Sequence, residues 1–265
     1  MKEVTGQVFS IARDNPPVPG CTVSKAIHSG DNSTIYFSLA ADTDISAEIF
    51  PYHKLILVNA GTLEVYGFQA DGRIESTSCE ASVEVAANAE GTQEASTSSA
   101  DGTTASAKSE EDEFKSAATT RTLVAGQSIL TPTDTPVGMR TDTGAIYTEI
   151  EIRRTDIMNS AIKAGEVFEL AQLVPYQEGK IVNMDVVHND KMKFVIMAFD
   201  GGTGLSEHAA PGEALIFALD GEGIIGYEGQ EYPIQAGENF HFAKGGLHYV
   251  KAEKNFKMAL FLTLE

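Results

Sequence analysis

Residues 202–221 read GTGLSEHAAPGEALIFALDG, and residues 237–248 read GENFHFAKGGLH. Both are runs of β-forming residues bounded by glycine, with His208 early in the first and His248 closing the second. The first stretch has a counterpart upstream: Ile45-Ser46 to Gly61 matches Leu205-Ser206 to Gly221, 160 residues apart. Working outward, Val8-Phe9 recurs as Val167-Phe168 and Gly20 as Gly179, each 159 apart, while His28 matches His188 at 160. Ala125-Gly126 matches Ala236-Gly237 at only 111, so the first copy holds 49 more residues between Gly61 and Gly126. A period this long marks a duplicated domain and is too long for a solenoid repeat.

Short β-rich runs separated by turn signals predict strands over Thr34–Leu39, Lys54–Val58, Thr62–Gly67, Ala145–Ile152, Lys193–Phe199, Ala214–Leu219, Gly223–Tyr227, Glu231–Ile234 and Phe256–Thr263. Asp220-Gly221-Glu222-Gly223 and Glu228-Gly229-Gln230 read as hairpin connections, with glycine supplying positive φ. The best helical candidate is Asp156–Lys163 ahead of Gly165, between the two copies. The pattern predicts an all-β chain of two tandem barrels, residues 1–155 and 156–265, with an insertion over about 71–120 in the first.

The inserted stretch Ser76–Glu113 is almost entirely Ser, Thr, Ala, Gly, Glu and Asp. Asp71 to Lys115 holds eleven acids and three bases, a net of −8. Such a segment offers too little apolar surface to offset its ordering entropy, and the expectation is a long acidic, low-complexity loop. Over the whole chain 19 Lys and Arg stand against 38 Asp and Glu, a formal charge of −19. That surface repels phosphate backbones and anionic lipid, so neither nucleic acid nor a membrane is an expected partner. No apolar run reaches the length of a signal peptide or a membrane span. Cys21 and Cys79 make neither a disulfide framework nor a paired metal-ligand spacing. The expected location is the cytoplasm.

The glycine spacing, the first histidine and the last one resemble the two motifs of the cupin superfamily. The first motif runs G, five residues, HxH, three or four residues, E, six residues, G; the second runs G, five residues, PxG, two residues, H. The resemblance covers nearly all of Ile181–Glu265 and, more weakly through the repeat, Val8–Ile150 without the insertion. It implies two cupin jelly-roll barrels, double-stranded β-helices joined as a bicupin. It also implies a metal site of His, His and Glu from the first motif and His from the second. Here the sequence departs from the pattern. Ala210 stands at the second His position and Ala214 at the Glu position, leaving His208 and His248. Glu213 is adjacent to the ligand position, but alternate strand side chains face opposite ways. His241 could supply a third imidazole if its strand turns it inward; Phe240 and Phe242 could equally be the inward pair. In the first copy Glu48 stands where His208 does, His53 where Glu213 does, and Val137 where His248 does. That barrel reads as a structural partner for the second.

The candidate ligand-binding residues are therefore His208, His248 and His241, with His208 and His248 as candidate metal ligands. A divalent metal (Zn, Mn, Fe or Ni) stays open, since such ions usually take three or more protein ligands. Three functions are carried forward. The first is a binding module for a small molecule, favoured because Ala210 and Ala214 enlarge the cavity while removing metal affinity. The second is a metal-dependent cupin enzyme, an oxygenase or isomerase, or a metal-free variant using an imidazole as general acid/base. The third is an interaction scaffold whose acidic loop recruits a basic partner. The halves are expected to pack as a pseudo-dimer within one chain, with a homodimer as a further partner. His53 and His188 read as surface or turn residues, and Cys21 as a reduced, buried thiol.

Overall fold

The computed structural model describes residues 5–68 and 119–264. Its named strands form two antiparallel sheets, one for each copy of the repeat. In the first sheet Gln127–Leu130, His53–Phe68, Ala145–Ile152, Thr34–Leu39 and Thr22–His28 lie in that order. Thr43–Ile49, Pro136–Thr141 and Thr119–Val124 pair onto it and curl it. The second sheet repeats the plan with Asn239–Phe242, Glu213–Tyr227, Phe256–Thr263, Met192–Phe199 and Ile181–His188, completed by Thr203–Ala209, Leu247–Ala252 and Gln230–Gln235. The chain is all-β, with two jelly-roll barrels. Two short strands cross between them. Val8–Phe9 pairs with Asn239 and Phe240 of the second sheet, and Val167–Glu169 pairs with Gln127 to Ile129 of the first.

Alternation along the central strands decides which side chains each barrel encloses. From His53–Phe68, Ile56 and Val58 enter the first barrel, while Leu55 and Leu57 face the second. From Glu213–Tyr227, Ala214, Ile216 and Ala218 enter the second barrel, while Leu215 and Phe217 face the first. A strand apolar on both faces reads as a continuous hydrophobic run. The three apolar clusters are thus two barrel interiors and one seam between them. In the seam Phe194 meets Phe217 edge to face at 6.3 Å. Each fully buried side chain of this kind contributes about 1.5–3 kcal/mol relative to exposure.

The glycines ending the first motif are demanded by backbone approach. Gly61 and Gly221 have φ of 77° and 71°. A Cβ there would sit 2.1 Å from the Gly144 carbonyl oxygen and 2.0 Å from that of Asn255.

Three readings differ from the structure or fall outside it. Asp156–Lys163 is not a helix: Ile157–Met158 pairs with Val187 and His188. Asn159 then donates to the Asp185 carbonyl and accepts from the Ala161 amide, a local bond that competes with helix formation. Asp220–Gly223 is not a hairpin turn but a bulged passage within the continuous strand Glu213–Tyr227. The Glu228-Gly229 connection does form, with both residues at positive φ as a two-residue hairpin requires. The acidic stretch Ser76–Glu113 lies outside the described residues.

Candidate functional site

Strands Thr203–Ala209 and Leu247–Ala252 set His208 directly opposite His248. A register shift between Leu205 and His208 marks a bulge, which re-aims the end of its strand. The two imidazole centroids are 4.2 Å apart, with the rings tilted by 52°. His248 is only 8% exposed and has the Phe242 ring 4.2 Å from its own. His208 is exposed. One ring therefore forms an inner wall and the other a rim.

Local hydrogen bonds fix which nitrogen carries the proton. His208 Nδ1 lies 2.9 Å from the Ser206 carbonyl, and His248 Nδ1 lies 3.2 Å from that of Gly246. A carbonyl only accepts, so each Nδ1 donates, and in the neutral ring Nε2 is left as the acceptor. Burial pushes the His248 pKa down, the Gly246 carbonyl opposes this, and His208 pushes it down further. The arrangement sets two imidazoles beside an aromatic face, with His248 biased toward its neutral form.

The third imidazole does not join them. Strand Asn239–Phe242 turns Phe240 and Phe242 into the second barrel, so alternation sends His241 to the other face, paired with Leu215. There its Nδ1 is 3.0 Å from Thr5 Oγ1. Ala210 and Ala214 are buried in the same interior cluster as Phe242. The cupin pattern implies a metal at this end of the barrel, but the donor set is two imidazoles without a carboxylate. Among the described residues no three His, Cys, Asp or Glu side chains group to hold a metal ion. The residues present do not fit a conventional divalent site.

The remaining flagged residues are dispersed. His53 Nδ1 faces the Thr131 carbonyl at 2.6 Å and His188 lies 3.9 Å from Asp185, while Cys21, expected to be buried, is an exposed free thiol. In the first barrel Glu48 faces Val137, the counterparts of the histidine pair. That barrel also encloses Lys54, Tyr147 and Glu149, a polar set that the motif reading passed over. The signal was present, because Lys54 stands at the repeat position of Ala214.

Two curled jelly rolls, one with a histidine pair facing across two of its strands, define a two-barrel β protein. Residues 195–264 match the cupin domain family. Over 99% of its length the chain resembles a cupin 2 conserved barrel domain protein from Leptotrichia buccalis, covering 98% of that chain at 23% identity with a TM-score of 0.70. A conserved protein of unknown function from Streptococcus pyogenes matches 41% of this chain and 96% of its own at 21% identity, TM-score 0.39. A deletion variant of oxalate decarboxylase from Bacillus subtilis matches 99% of this chain and 78% of its own at 9% identity, TM-score 0.49. No curated protein matches the sequence. The cupin match falls within the second barrel, and over its whole length the chain shares the fold of the Leptotrichia buccalis barrel protein. Among the described residues no helix is long and apolar enough to cross a membrane.

Proposed function

We propose that the second barrel binds a small molecule at its mouth, oriented by His208 and His248. The observation that carries this reading is the pair itself: two imidazoles 4.2 Å apart whose Nδ1 atoms are already committed to backbone carbonyls. What remains is a pair of Nε2 acceptors next to the Phe242 ring. Such a surface selects a ligand with hydrogen-bond donors on an apolar or aromatic body. With only two imidazole nitrogens and no carboxylate, a transition metal would be held weakly.

Phenol and anisole are matched probes, alike in shape and differing in the donor. In an NMR titration phenol should shift the ring protons of His208, His248 and Phe242, and anisole should not. Changing both His208 and His248 to Ala should remove the phenol response. A response that survives in the double variant, or equal responses to both probes, would refute the assignment. Zn²⁺ and Ni²⁺ titrated in parallel should bind weakly; tight one-to-one binding would point instead to a metal centre.

A further inference from the structure

We propose that the mouth of the first barrel is a general acid–base site for a small carbonyl compound, with Lys54, Glu149 and Tyr147 as its working groups. The site is separate from the histidine pair and does not depend on that reading. Alternation places all three side chains inside the first barrel. Lys54 precedes the inward Ile56 and Val58, and Glu149 follows the inward Ala145 and Tyr147. Lys54 Nζ lies 3.2 Å from Glu149 Oε2 and 4.1 Å from the centroid of the Phe50 ring. Glu149 is 7% exposed. The Tyr147 hydroxyl is wholly buried beside Glu149 and makes no hydrogen bond of ordinary geometry. Phe50, Tyr52 and Lys54 are half-buried and connect the cluster to solvent.

The second barrel serves as an internal control. Ile56 faces Glu149 in one sheet as Ile216 faces Leu260 in the other. By the same correspondence Ala214 replaces Lys54 and Met258 replaces Tyr147. The architecture therefore closes with apolar side chains at all three positions. A buried ion pair costs several kcal/mol in desolvation, and a buried hydroxyl without a well-formed hydrogen bond about 1–3 kcal/mol. The fold does not require this expense, whereas a reactive site does. Burial raises the Glu149 carboxyl above its usual range, although Lys54 and Tyr147 pull it down and Glu48 adds to the rise. A carboxylate so placed is a better base near neutral pH than an exposed one.

The chemistry balances without a further reagent. Glu149 takes a proton from the carbon next to a carbonyl. The C–H electron pair moves onto the carbonyl oxygen, which the Lys54 ammonium and the Tyr147 hydroxyl hold as an enolate. Return of a proton from Glu149 to the same carbon, as the electron pair moves back from the oxygen, regenerates the carbonyl. Lys54 and Glu149 are paired directly at 3.2 Å, so a substrate that engages both groups does so by parting the pair.

In D₂O this step appears as deuterium entering dihydroxyacetone or pyruvate, followed by proton NMR. The full chain should raise the exchange rate by at least about 100-fold over buffer for one of the two probes. Glu149→Gln should return it to within a few-fold of buffer, Lys54→Met should slow it, and the exposed Glu253→Gln should leave it unchanged. Tyr147→Phe keeps the ring and removes only the hydroxyl. It should remain folded by thermal melting and still exchange more slowly. Exchange no faster than buffer with either probe, or an unchanged rate in a folded Glu149→Gln protein, overturns the proposal.

Discussion

Replacing Lys54 by Ala and Glu149 by Leu copies into the first barrel what the second already has, and the stability of the four-protein cycle can be worked out beforehand. Lys54 and Glu149 are 15% and 9% exposed along their side chains, so this is a largely buried pair. Lys54→Ala alone strands a buried carboxylate. Breaking such a pair costs about 3–5 kcal/mol, and about 3 kcal/mol is expected here because Glu149, already raised by burial, can take up a proton. Glu149→Leu alone strands an ammonium that can swing toward the mouth, at a cost of about 1 kcal/mol. Together the two changes remove both desolvation penalties, so the double variant should match the wild type or exceed it by about 1–2 kcal/mol. The coupling energy is then at least about 4 kcal/mol, well beyond the usual additivity error. Urea midpoints at constant slope would measure it, and each kcal/mol should move the melting temperature by about 2–4 °C. If the double variant loses the sum of the two single losses, Lys54 and Glu149 are uncoupled and neither stands as the other's desolvated partner. A stabilised double variant that no longer catalyses exchange would be the signature of a site kept at the expense of stability.

Three other outcomes follow from the geometry. The folded pKa of His248 is lowered, so the unfolded chain takes up its proton first; stability should fall as pH drops through the ordinary imidazole value of about 6.5, then level off once the folded ring protonates. His248→Gln should flatten that part of the pH profile relative to the wild type, and an unchanged slope would show that the ring is not held neutral. Gly221→Ala and Gly237→Ala share positive φ, 71° and 85°, but only Gly221 has a backbone oxygen where the Cβ would lie. Each should lose about 1–2 kcal/mol from the left-handed conformation, and Gly221→Ala a further 1–3 kcal/mol or so; equal melting temperatures would contradict this. Phe217→Ala, in the seam, should cost about 3–5 kcal/mol, and denaturation should show whether both barrels melt together through it.

The sequence announced the architecture through distances between like residues. Gly61 and Gly221 were legible because no other residue tolerates both their φ and the carbonyl facing them. Strands such as Ala145–Ile152 and Phe256–Thr263 appear where the β-rich runs stand. Asp156–Lys163 misled because helical spacing over one short window is weak, and the Asn159 side chain bonds to neighbouring backbone instead. The orientation of His241 was not readable from alternation alone until the strand was phased by the inward Phe240 and Phe242. The pairing of His208 with His248 needed the strand register, which a bulge shifts. Lys54, Tyr147 and Glu149 escaped notice because a motif comparison asks what is missing from the expected ligands. It does not ask which charged residue has taken an apolar position.

The crossed strands Val8–Phe9 and Val167–Glu169 also bear on the order in which the molecule can be built. During synthesis the first copy leaves the ribosome without its last edge, since Val167 to Glu169 are made only after Ile152 has closed the sheet interior. Val8 and Phe9 are made long before Asn239 and Phe240, and must wait for them before they find their ladder. Neither half can seal itself while the other is unmade, so the exposed rim of Gln127–Leu130 stays open to stray pairing for that interval. The duplicated barrels are thereby tied into one assembly event, and a chain truncated between them would carry one edge without its partner and one strand without its place.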